Sequence, residues 1–144
     1  MTIRHNPKMS NSPGFKVAIQ EVEGRWYLYI GHFWHRGWTI MDITRPSQPE
    51  LLKFIPGPAN TWTLQVQVAQ GKMVTALERV GDGILGRNDI WGYDPSQPFG
   101  EGILIWDVKN PTDPKQLGFF KTGGFGTRRN FYAGGGSIPI SPPI

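Results

Sequence analysis

Apolar and polar residues take turns along much of this chain. Between Val17 and Val22 the alternation is moderate, and Val, Ile, Tyr, Trp and Thr then dominate Trp26–His32, Trp38–Ile43 and Leu51–Ile55. The same kind of run returns at Thr63–Ala69, Lys72–Glu78, Ile103–Val108 and Gln116–Lys121. Short runs of β-branched and aromatic residues suit a pleated, half-buried strand, and Gly and Pro gather between them. No apolar spacing of three and four is sustained, so almost no helix is expected. The pattern predicts an all-β chain of two four-strand groups, with Glu23-Gly24-Arg25 closing the first hairpin.

The two groups are copies. Gly37-Trp-Thr-Ile-Met-Asp42-Ile-Thr-Arg-Pro46-Ser-Gln-Pro49 is echoed 65 residues later by Gly102-Ile-Leu-Ile-Trp-Asp107-Val-Lys-Asn-Pro111-Thr-Asp-Pro114. Upstream, Lys16–Ile30 resembles Thr63–Leu77, with Gly24 and Gly71 offset by 47. The two offsets, 65 and 47, leave 18 extra residues inside the second copy, between about Glu78 and Gly102. A unit of 47 residues is close to the roughly 40–50 of a four-stranded propeller blade. Asp42 and Asp107 fall late in a strand, where a short carboxylate accepts turn N–H groups. Pro46, Pro49, Pro111 and Pro114 set φ and remove donors, which ends pairing and turns the chain. These six positions therefore read as structural turn residues.

The unit [LIV]-x-[LIV]-x-Asp-[IV]-x-x-Pro-x-x-Pro-x-x-Leu resembles the LVIVD repeat, a family of bacterial and archaeal β-propeller proteins. The resemblance covers roughly Val17 to Lys121 and begins again near Arg128-Arg-Asn-Phe-Tyr-Ala133. It implies β-propeller blades and carries over no catalytic residue; many members are thought to lie at the cell surface, and most have no assigned function. The organisation expected is a polar leader (1–15), a first blade (16–57) and a second blade (58–122) with an insertion at about 79–101. The start of a third blade (123–136) and an irregular tail (137–144) follow. Propellers close with 4–8 blades. Two blades and a fragment thus imply either an N-terminal portion of a longer, truncated propeller or a ring assembled from several copies.

Composition narrows the partners. The net charge of +4 comes from scattered Lys and Arg, with Arg128-Arg129 the only basic pair after the leader, so no nucleic-acid footprint is expected. Absence of Cys excludes disulfides, thiol catalysis and Cys-ligated metals. The leader lacks the apolar run of a signal peptide, and nothing approaches the roughly 18 apolar residues of a membrane span. A cytoplasmic product follows if Met1 is the true start, and a surface or periplasmic one if an upstream signal precedes it.

By analogy with propeller channel mouths, chemistry is expected where the second-to-third strand loops meet the interblade connections. Those segments are His32–Gly37, Arg79–Gly102, Gly57–Trp62 and Gly123–Asn130. His32 and His35, with Asp82 or Asp89, are candidates for acid–base catalysis or for holding a divalent metal; no other cofactor is predicted. The acidic positions 82, 89 and 94 do not fit a calcium-loop register, and the glycines lack a phosphate-loop frame. Trp34, Trp62 and Trp91 are candidates for stacking on a sugar or apolar ligand, with Arg79 and Arg128 fixing its orientation. Trp26, Trp38 and Trp106 are expected to pack between blades. The reading that results is a propeller scaffold binding a small molecule, glycan or protein. Its alternatives are a propeller enzyme with a His/Asp site and an oligomeric two-blade lectin.

Overall fold

The computed structural model describes residues 14–33, 36–80 and 94–135. It is all-β, with no helix among those residues. One antiparallel sheet follows chain order: β1 (Gly14–Val22), β2 (Arg25–His32), β3 (Gly37–Asp42) and β4 (Glu50–Pro56). The other holds β5 (Thr61–Trp62), β6 (Val66–Ala69), β7 (Lys72–Arg79), β8 (Gly102–Asp107) and β9 (Lys115–Phe120). Its order is β5-β7-β8-β9, with β6 also pairing with β7.

The hairpins form because their tips tolerate left-handed backbone. Glu23 and Gly24 (φ 52° and 77°) correspond to Gln70 and Gly71 (φ 50° and 71°), the two central positions of a turn whose twist matches the flanking strands. Val22 therefore pairs with Arg25, and Ala69 with Lys72. The strand expected over Thr63–Ala69 is broken: β5 and β6 are separated by residues that leave the ladder. Thr63 is the cause. Its single hydroxyl proton is shared between the carbonyls of His32 (2.9 Å) and Gly37 (3.1 Å) in the first sheet, and its oxygen accepts the Gly37 N–H (2.6 Å).

The copies match closely in their outer halves. A β-bulge interrupts pairing between Ile40 and Met41, and another between Ile105 and Trp106, 65 residues on. The inner halves differ by a slip. Asp42 lies opposite Tyr27, whereas Asp107 lies opposite Lys72. The second strands are thus offset by 45 residues and the third strands by 65, which leaves 20 extra residues in the second copy rather than 18. The first hairpin reaches two ladder pairs further past its Asp than the second does, Glu21–Trp26 and Val22–Arg25.

Packing between the sheets is head to tail. The core joins Tyr27, Tyr29, Trp38 and Ile40 to Val66, Met73, Leu77, Leu104 and Trp106, with the Trp38 and Trp106 rings 5.8 Å apart. Position 38 corresponds to 103 and position 40 to 105, yet Ile103 and Ile105 lie on the far face of the second sheet, with Val74 and Tyr132. Unlike faces therefore meet, as in a heterologous contact between subunits. The outer face of the first sheet remains apolar: Val17 and Ile19 are each 53% exposed, opposite Ile30 and Leu28. Trp26, expected to pack between blades, is 50% exposed on that same face. It sits opposite Glu21, on the face turned away from the second sheet.

The passage after β9 repeats the passage after β4. The Thr127 hydroxyl donates to the Gly102 carbonyl (2.8 Å), as Thr63 does to the corresponding Gly37. Tyr132, 3% exposed, then covers the far face of the second sheet.

Candidate functional site

The repeated Asp-Pro-Pro segment builds the same turn twice. Asp42 Oδ1 accepts the Thr44 N–H at 2.8 Å, and Asp107 Oδ1 accepts that of Lys109 at 2.9 Å. Pro46 and Pro111 occupy the second position of turns closed by Gln48 N–H to Arg45 O and by Asp113 N–H to Asn110 O, where a fixed φ is favourable. Pro49 and Pro114 immediately precede β4 and β9. Among the described residues, only the first carboxylate gains a cation, from Arg25, whose Nε donates to Oδ2 at 3.1 Å. The Thr44 hydroxyl and N–H, with Arg25 behind them, lower the Asp42 pKa to about 2.

At the opposite ends of the sheets the chain connections converge. His32 is 5% exposed and its Nε2 lies 2.7 Å from the Thr39 hydroxyl, so it is a hydrogen-bonded core residue rather than one presented to solvent. Arg79 stacks over the rings of Phe99 (4.7 Å) and Phe125 (5.7 Å). Arg128 donates from Nε and Nη2 to the Glu78 carboxylate at 2.6–2.9 Å, which raises the Arg128 pKa further. Trp34, His35, Asp82, Asp89 and Trp91 lie outside the described residues. Among the described residues no group of three or more His, Asp or Glu is placed to hold a metal.

Asn60 carries a role that the sequence reading missed. Its amide donates to the carbonyls of Asp94 (2.7 Å) and Gln97 (2.8 Å), and its carbonyl accepts the Asp94 N–H (3.0 Å). Gly100 N–H adds a 2.6 Å bond to the Thr61 hydroxyl. The returning end of the insertion is thus clamped to the connection between the sheets. A signal existed: Asn60 has φ 50°, and Asn is one of the few residues that accept left-handed backbone.

Two cavities flank this clamp. The larger, about 770 Å³, opens between the sheets and is lined by Trp38, Pro58, Leu77, Phe99, Leu104 and Trp106, among others. The smaller, about 190 Å³, is apolar where Phe15, Phe33, Trp62 and Leu64 line it and polar at Gln65, Arg128 and Arg129. It brings together Trp62 and Arg128, which the sequence nominated, with Phe15, which falls in the expected leader but belongs to β1. Phe33, Leu64 and Arg129 were not nominated. They are drawn in because Thr63 pulls the connection onto the first sheet, a tertiary contact with no local pattern.

Searches against family models, curated proteins and solved structures returned no match. Chemistry is accordingly read from geometry. Among the described residues, no helix is long and apolar enough to cross a membrane.

Proposed function

We propose that the chain supplies two adjoining blades of a β-propeller of the LVIVD-repeat type and serves as a ligand-binding scaffold. The head-to-tail packing carries this reading. When one face of a repeat fits the opposite face of the next, each end of the pair presents a face suited to a further unit, and the series stops only on closure. The apolar outer face of the first sheet, with Val17, Ile19 and Trp26 about half exposed, supports a missing neighbour. So does the segment from Thr127 to Tyr132, which repeats the start of the second unit on the far face of the second sheet. Binding, rather than catalysis, is favoured because His32 is held in the core while Trp62 and Arg128 line a cavity.

Sedimentation of the isolated chain provides the test. A 16.2 kDa chain with open apolar faces is expected to self-associate or precipitate in a concentration-dependent way. A concentration-independent monomer that unfolds cooperatively would overturn the open-repeat reading.

A further inference from the structure

The smaller cavity has a lining that specifies its occupant. Its wall is a run of three aromatic rings: Phe15 lies 5.8 Å from Phe33 at 29°, and Phe33 lies 5.0 Å from Trp62 at 23°. Phe33 and Trp62 are 4% and 6% exposed and pack with Leu64 and Val80, so that wall is fixed before any ligand arrives. Because these rings stack on one another, the cavity meets the exposed Phe15 ring and the borders of the buried Phe33 and Trp62, an apolar lining against which a flat apolar body can pack face-on to Phe15 or edge-to-face with the others.

Charge sets the other requirement. Among the described residues, no carboxylate lines the cavity. Arg128 is already committed to Glu78 through Nε and Nη2. Arg129 is exposed and has no ion pair among the described residues. With Glu78 offsetting Arg128, one guanidinium without a counter-charge among the described residues remains, enough for one negative charge, and its planar fork matches a carboxylate. A volume of about 190 Å³ falls below the roughly 300 Å³ of pockets for drug-sized ligands, which limits the body to about one ring.

We infer that this cavity binds a small aromatic monocarboxylate, with the ring against Phe15, Phe33 and Trp62 and the carboxylate on Arg129. The inference deepens the binding-scaffold reading and rests on it. The two fail separately, since sedimentation reports the open faces and ligand titration reports the cavity.

Phenylacetate and its neutral isostere phenylacetamide are suitable probes, titrated into the full chain and followed by calorimetry and ligand-observed NMR. Phenylacetate should saturate with a Kd below about 1 mM, and the amide should bind at least about tenfold more weakly for want of a charge-assisted bond. Arg129→Gln should bring phenylacetate down to the level of the amide and leave the amide unchanged. Phe15→Ala should weaken both ligands in parallel, because it removes ring contact and no charge. Both positions are exposed, so folding, checked by circular dichroism, should survive each change. Equal affinity for acid and amide, indifference to Arg129→Gln, or absence of saturable binding in the roughly millimolar range would overturn the inference. Inorganic phosphate competing as well as phenylacetate would overturn it too, since a plain anion site needs no aromatic wall.

Discussion

Asp42 shows how much one repeated residue can gain from its neighbours. Both copies use the carboxylate to hold the turn, but Asp42 alone also meets Arg25, which the longer first hairpin brings to it. Its pKa is lowered to about 2, so the ionised form is the one the fold favours. The associated stability is complete above the ordinary carboxylate value near 4 and is lost as the pH falls through about 2. Asp42→Asn should therefore cost about 1–2 kcal/mol at neutral pH, and the gap from the parent should close at low pH. Urea midpoints at pH 6 and near pH 2, on both proteins, would check this; a gap independent of pH would assign the loss to turn geometry instead.

At the scale of elements, local chemistry was legible and long-range placement was not. The alternation and the Gly and Pro punctuation marked most strands to within a residue or two, since those signals act on the backbone where they stand. The division of Thr63–Ala69 was hidden because Thr63 spends its hydroxyl on a strand more than 25 residues away. The slip between hairpins was hidden too, because matching Gly24 to Gly71 aligns the tips and not the pairing with the third strand. Of the candidate site, Trp62 and Arg128 were found and their companions were not, since the cavity exists only where four separate segments meet. Asn60 is the most consequential omission. Asn60→Ala removes three hydrogen bonds from a residue 5% exposed, and should cost about 2 kcal/mol. Hydrogen exchange at the amides of Asp94 and Gly100 should accelerate while that of β7 stays protected; unchanged exchange would mean that Thr61 alone holds the returning end.

At the scale of the whole molecule, the two sheets differ in what they leave uncovered. Tyr132 shields part of the second, whereas Val17, Ile19 and Trp26 leave an apolar strip on the first. Val17→Lys with Ile19→Lys should reduce self-association, read by light scattering, with a melting temperature within a few degrees of the parent. Undiminished association would place the sticky surface on the second sheet, where Phe119 and Phe120 are about half exposed. The two-residue slip of the first hairpin also limits how such a repeat can change. Strand faces alternate with a period of two, so a shift of two residues leaves every apolar side chain on its own side. A shift of one would turn Tyr27 and Tyr29 to solvent and press Leu28 and Ile30 into the joint with the second sheet. Length can be added to these hairpins in even steps only, and an odd step would have to be absorbed by a bulge like those beside Ile40 and Ile105.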